Sequence, residues 1–174
     1  ALGVMLSLYA GLRIGEVCAL KWNNIDFKNH VITVDSTIIR IKNENNKWIY
    51  KIGPPKTTHS KRDIPITDNL YQLLTAEFSN KKSPYIVSSQ ESFLNIRTFE
   101  YRYHKLLKDA DLYPHHFHTF RHTFATRCIE SGVDIKTLSE ILGHSSVSFT
   151  LNTYVHPSFQ EKCIQMEKLN NLTG

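Results

Sequence analysis

The sequence predicts an α+β domain that is mostly α-helical, with a small antiparallel β-sheet near its N-terminal part. Three observations predict it. Two runs rich in β-branched residues, His30–Asp35 and Thr37–Lys42, lie close together early in the chain. Such side chains fit a pleated, half-buried surface. From Asp68 onward apolar residues recur at helical spacing. Gly132 and Gly143 stand where two of those helical runs stop, the usual place for a left-handed C-terminal cap.

Each element has its own signal. Residues 1–10 form an apolar helical run, broken by Gly11. A second helix follows, with Leu12, Val17 and Leu20 as its apolar positions. Asp26–Asn29 is a turn before the first β-branched run. Asn43–Lys47 is polar and reads as a hairpin loop, with Trp48–Ile52 returning along Thr37–Lys42. Gly53, Pro54 and Pro55 end that strand. Asp63–Ile66 is a short strand, and Pro65 puts it at a sheet edge because proline lacks the N–H a central strand needs. Asp68 is the expected N-cap of a helix over 69–79. Tyr85–Val87 is a short extended piece. Further helices are expected at about 96–110, 117–131, 135–142, 146–153 and 158–169.

The whole chain bounds the function. Its 174 residues suit one domain with its own core. There are no repeats and no long linker. Lys and Arg number 21 against 16 Asp and Glu, a net charge of +5. That excess fits a partner with a phosphate backbone without requiring one. Cys18, Cys128 and Cys163 are an odd, sparse set with no CxxC spacing. This argues against a disulfide framework and for a reducing, cytoplasmic setting. The opening apolar run has no basic segment before it and no cleavage site after it, and it is too short to span a bilayer. It is expected to be a buried helix, with no membrane partner. The chain starts inside that helix, which suggests a fragment of a longer protein.

Four constellations carry chemistry. In Gly11-Leu12-Arg13-Ile14-Gly15-Glu16, Arg13 follows a helix-breaking glycine and so lies at a helix start. Helix-start amides and a guanidinium both favour a phosphate, and Glu16 is close enough to orient Arg13. Taken alone this is an ordinary surface ion pair. The basic turn from Pro55 to Pro65 carries Lys56, Lys61 and Arg62. A lysine there could reach DNA and protonate a leaving oxygen, although most such turns are merely solvated. In the run from His118 to Arg127, Phe117, Phe120, Phe124 and Cys128 form an apolar stripe. His118 and Arg121, three apart, share another face. Finally, His144 lies just past a helix end in Leu142-Gly143-His144-Ser145-Ser146, and Tyr154 follows ten residues later. A phenol can be a nucleophile where its surroundings favour the phenolate, but most tyrosines are packing residues.

The joint pattern is far more specific than its parts. Arg13, Lys56, His118, Arg121, His144 and Tyr154 occur in one order within GLRIGE, PKTTHSKRDIP, HTFRHT, LGHSS and TYVH. This resembles the tyrosine recombinase (phage integrase) family at every active-site position, over nearly the whole chain. The resemblance implies the catalytic domain of a DNA strand transferase over 1–174, with 157–174 as a C-terminal helical tail. Family members usually carry an N-terminal domain that clamps the far face of the DNA. That domain is absent here, so tight site-specific binding is not expected of this piece alone.

By this resemblance Tyr154 attacks the scissile phosphate, a 3′-phosphotyrosyl link forms and a 5′-hydroxyl leaves. Another 5′-hydroxyl reverses the step, so neither ATP nor any cofactor or metal is expected. Arg13 and Arg121 would hold the non-bridging oxygens. Lys56 would be the general acid, His118 the base or hydrogen-bond partner of Tyr154, and His144 a phosphate ligand. Glu16 would support its neighbours, and Lys61 and Arg62 would contact DNA. The implied partner is double-stranded DNA at a recombination site. The implied assembly is a homo-oligomer on DNA, with the tail a candidate for docking in trans through Phe159, Cys163, Met166 and Leu169. A bacterial or phage source and the integration or excision of a mobile element follow from the family alone.

Three rivals remain open at this level. His118 and His122 are spaced as in a zinc helix, which would suit a metal-dependent nuclease. The residues between them include Arg121 and no glutamate, which opposes a divalent cation. A DNA-binding module without activity would not need the full residue set. A type IB topoisomerase would share the chemistry and differ in outcome.

Overall fold

The computed structural model describes residues 2–55, 57–155 and 159–167. Two helices open the chain, α1 (Leu2–Ala10) and α2 (Ile14–Ala19). Five strands follow: β1 (Ile25–Asp26), β2 (Val31–Val34), β3 (Thr37–Lys42), β4 (Trp48–Gly53) and β5 (Arg62–Pro65). The rest is helical: α3 (Asp68–Phe78), α4 (Ile96–Asp109), α5 (His118–Glu130), α6 (Ile135–Leu142), α7 (Val147–Tyr154) and α8 (Phe159–Glu167). This is the mostly helical α+β class that the sequence predicts.

The antiparallel part is divided. β1, β2 and β5 form one three-stranded sheet in that order, while β3 and β4 form a separate two-stranded ribbon. The single small sheet expected from the sequence is therefore two. The reason lies at Asp35 and Ser36, which break the extended run before β3 and let the chain leave the first sheet. β2 then pairs with β5, Ile32 opposite Ile64, because both bury their side chains on the core face. β5 is an edge strand, as Pro65 requires. Ile38 opposite Ile52 fixes the register of the ribbon near its base.

Two further expectations shift. The cap of α3 is Thr67, and Asp68 is the first helical residue. Asp68 still suits the first turn, where a carboxylate faces the positive end of the helix. Tyr85–Val87 is no strand; Tyr85 makes one isolated antiparallel bridge to Lys21.

The core has two parts. The larger is lined by Leu6, Val17, Ile32, Ile64, Leu70 and Leu74, with Phe99 and Phe117 packed edge-to-face at 5.0 Å. Each fully buried leucine there contributes on the order of 1.5–3 kcal/mol. The smaller holds Ala125, Leu138 and Leu142 between α5, α6 and α7, with Phe124, Cys128 and Tyr154 packed against it. The predicted Phe117–Cys128 stripe is thus split, Phe117 and Phe120 joining one core and Phe124 and Cys128 the other. The residues of α5 that are most deeply buried are Arg121 and Ala125. α5 runs along the seam between the two cores, and the buried arginine on it is the first sign of a site there.

Candidate active site

Two chain turns, at Gly11 and at Gly143, converge on that seam. Gly11 takes φ +65°, a conformation L side chains rarely adopt. The turn it makes aims its carbonyl inward and starts α2 at Arg13. Arg13 is the N-cap of α2, and its backbone N–H donates to Glu16 Oε2 at 2.9 Å. α6 begins at Asp134, whose carboxylate caps the N–H groups of Lys136 and Thr137. It ends at Gly143, φ +63°, which turns the chain so that His144 faces α5. Ser146 then caps α7, whose last helical residue is Tyr154.

Arg121 is the centre of the arrangement. It is 1% exposed. Its Nη1 donates to Gly11 O at 2.6 Å and its Nη2 to Leu142 O at 2.7 Å. Nη2 also lies 2.9 Å from His144 Nε2. An arginine only donates, so Nε2 must accept, and Nδ1–H of His144 donates to Thr150 Oγ1 at 2.8 Å. Burial, with Arg13 beside it, pulls the Arg121 pKa down to about 9. The guanidinium therefore stays charged at neutral pH. It is locked to two backbone carbonyls, so its orientation is set before any anion arrives.

Arg13 is the exposed counterpart. Its side chain is 36% exposed, pairs with Glu16 at 2.9 Å and donates to Gly143 O at 3.2 Å. Glu16 is buried. Burial alone would push its pKa up, but hydrogen bonds and charge from Arg62 and Arg13 outweigh this and hold it below the usual carboxylate value.

Tyr154 is half-buried. Its ring lies 6.5 Å from that of His144, nearly parallel, and 5.4 Å from that of His122. His122 in turn meets His118 edge-on at 4.5 Å. Burial raises the Tyr154 pKa, and the Arg121 and Arg13 charges pull against it without reversing it. The phenol is protonated at rest and needs a base. His118 can be one: burial, then His122, Arg121 and Arg13, lower its pKa and keep it neutral.

His144 is depressed further, to about 4, first by burial and then by Arg121, Arg13, Arg62 and His118. It is neutral at pH 7, with its Nε2 lone pair facing Arg121. An added phosphate would favour the charged imidazolium and raise that pKa. The His144 imidazole is expected to titrate near pH 4 in the free protein, and higher once duplex DNA is bound. A histidine-resolved NMR titration checks this, and a free-state midpoint near 6.5 would contradict the contact to Arg121.

Of the residues singled out in the sequence, Arg13, Glu16, His118, Arg121, His144 and Tyr154 are thus brought together. Lys56 lies outside the described residues, as do His156 and Leu169. Lys61 is exposed. Arg62 is the correction: its side chain is 6% exposed and bonded to Glu16, so it is not free to contact DNA. A guanidinium that finds a buried carboxylate and main-chain carbonyls is held inside. Two further residues belong to the site. His122 touches Tyr154, and its i+4 spacing from His118 is the signal that places it on the same face. Thr150 fixes the tautomer of His144, and no local pattern marks it.

Among the described residues, no group of three His, Cys, Asp or Glu side chains could hold a metal ion. Among the same residues, no helix is long and apolar enough to cross a membrane.

Known proteins share this sequence pattern and fold. Residues 1–161 match the phage integrase family. A tyrosine recombinase XerC-like protein of Caldanaerobacter subterraneus is 34% identical over 97% of this chain and 48% of its own length. The transposase of transposon Tn916 from Enterococcus faecalis is 29% identical over 96% of this chain and 44% of its own. The chain thus spans about half the length of the curated relatives it matches. Among solved structures, the Tn1549 transposon integrase in complex with transposon right-end DNA superposes with a TM-score of 0.81. It is 28% identical over 97% of this chain and 58% of that one. With the fold, the family match and the converging arginines, histidines and tyrosine in agreement, the chain belongs to the phage integrase family of tyrosine recombinases.

Proposed function

We propose that the chain is the catalytic part of a site-specific DNA recombinase that integrates or excises a mobile element. The observation that carries this is the placing of one half-buried tyrosine, Tyr154, beside the rings of His122 and His144, close to a pre-set buried arginine, with His118 against His122. Tyr154 Oη attacks the scissile phosphorus and its proton passes to His118. The P–O5′ bond breaks, the DNA becomes linked through a 3′-phosphotyrosine, and Lys56 protonates the departing 5′-oxygen. A second 5′-hydroxyl then runs the step backwards. Arg121 and Arg13 supply positive charge to the non-bridging oxygens. One pre-oriented donor of this kind is worth about 3–4 kcal/mol of barrier. Bond energy is kept in the phosphotyrosine, so the scheme calls for no ATP.

The relatives support DNA as the partner, since the Tn1549 integrase was solved bound to transposon DNA. The test is covalent trapping on a nicked duplex in chelator, with the adduct mapped by mass spectrometry. The expected adduct lies on the peptide that holds Tyr154. An adduct that forms only with added divalent metal would sink the proposal.

The protein is proposed to act as a homo-oligomer on DNA, with the tail docking in trans. α8 leaves Phe159 80% and Met166 63% exposed, apolar surface that a neighbouring protomer could cover. Sedimentation on DNA, with and without residues 157–174, checks it; an unchanged assembly would count against docking.

A further inference from the structure

Arg62 has a place in the fold that no DNA contact explains. Its Nη2 lies 3.0 Å from Glu16 Oε2 and its Nη1 3.0 Å from Glu16 Oε1. Nη1 also donates to Ser60 O at 3.0 Å, and Nε donates to Ile141 O. One guanidinium thereby ties α2, the approach to β5 and the end of α6 together. The turn that presents His144 rests on the same side chain. A Cβ added at Gly143 would lie 3.0 Å from Arg62 Cδ.

The charges give this tie a purpose. Glu16 is one carboxylate shared by two guanidinium groups, since Arg13 Nη1 also reaches Oε1 and Arg13 N reaches Oε2. Arg62 has little solvent and is bonded on three sides. Arg13 keeps a third of its side-chain surface exposed. With Arg62 present, Glu16 is neutralised from behind and Arg13 retains a net positive charge for an incoming anion. Without Arg62, the whole carboxylate charge falls on Arg13. Glu16 would then hold that guanidinium to itself and repel a phosphate.

We infer that Arg62 is a positioning residue for strand cleavage, neutralising Glu16 so that the Arg13 guanidinium stays free for the scissile phosphate. This rests on the recombinase reading of the site. It differs from a packing role in one respect: removing the charge of Glu16 as well should restore part of what the loss of Arg62 removes.

The test compares wild type, Arg62→Met, Arg62→Lys and the double variant Arg62→Met with Glu16→Gln. Adduct formation is followed in single turnover on a nicked duplex, with thermal melting alongside. Arg62→Met should slow adduct formation about 100-fold, the scale of losing one charge-stabilising donor. Arg62→Lys should fall between it and wild type. The double variant should regain about tenfold over Arg62→Met, although it removes two native partners. A double variant no faster than Arg62→Met, with both melting as folded proteins, would overturn the inference. Duplex affinity against salt gives a readout free of catalysis. The slope should fall by about one phosphate contact in Arg62→Met and return in the double variant. A wild type that binds DNA but forms no adduct would remove the recombinase reading alone, and the salt slopes would still decide the role of Arg62. Slopes equal in all four proteins would overturn it.

Discussion

Tyr154→Phe is expected to leave no covalent protein–DNA adduct while melting and binding duplex much as the parent chain does. The two effects separate because the ring and the hydroxyl have different duties. The ring packs against Ala125, Leu138 and Leu142, and phenylalanine keeps all of that contact. The hydroxyl lies close enough to Arg121 for the guanidinium to draw its pKa down, without outweighing burial. Arg121 retains Gly11 O, Leu142 O and His144 Nε2 without it. The stability change should therefore be about 1 kcal/mol or less. Chemistry has no such reserve, since the phenol oxygen is itself the atom that would bond to phosphorus. Loss of a covalent nucleophile typically costs on the order of 10⁶ in rate, well below detection on a denaturing gel. Three measurements on one sample check it: the gel, a melting curve and duplex anisotropy. A residual adduct in Tyr154→Phe would mean that another side chain is the nucleophile.

How much of this could be read from the chain depends on the range of the forces involved. Gly11 and Gly143 are legible because a left-handed residue is a local demand, and both stand where the apolar period stops. β3 and β4 are legible as a hairpin because five polar residues separate two β-branched runs. The division into two sheets was not, because pairing of β2 with β5 joins Ile32 to Ile64 across an intervening ribbon, a choice made by the core. The site shows the same contrast. Arg13 and Glu16 are three residues apart and declare themselves. Arg62 meets Glu16 across 46 residues and Ile141 across 79. In the sequence it is only a basic residue in a basic turn, and nothing local marks it as held inside. The burial of Arg121 was equally hidden, because an arginine on a helix with exposed neighbours ordinarily reaches solvent.

Arg121 separates scaffold from chemistry most sharply when it is replaced in two ways. Arg121→Met removes the charge and every donor. Gly11 O and Leu142 O, both turned inward to meet the guanidinium, would lose their partners at about 1–3 kcal/mol each. Against this, a desolvated cation beside Arg13 would be gone, which returns part of that cost. The net loss should be about 2 kcal/mol, a fall in melting temperature of roughly 4–8 °C for a chain of this size. Adduct formation should drop at least 10³-fold, because the donor aimed at the developing charge is missing. Arg121→Lys keeps the charge but offers one ammonium where a planar fork spanned two carbonyls and an imidazole. It should lose less stability than Arg121→Met, yet still lose about 100-fold in adduct formation. His144 reports on both variants. Arg121 is the largest charge contribution depressing its pKa, so the NMR midpoint should climb from about 4 in Arg121→Met and move little in Arg121→Lys. If the lysine variant matched wild type in rate, charge alone would suffice and the fork geometry would be structural. If His144 stayed near 4 in the methionine variant, burial with the charges of Arg13, Arg62 and His118 would set its titration, and the contact between Nη2 and Nε2 would have no part in holding His144 neutral.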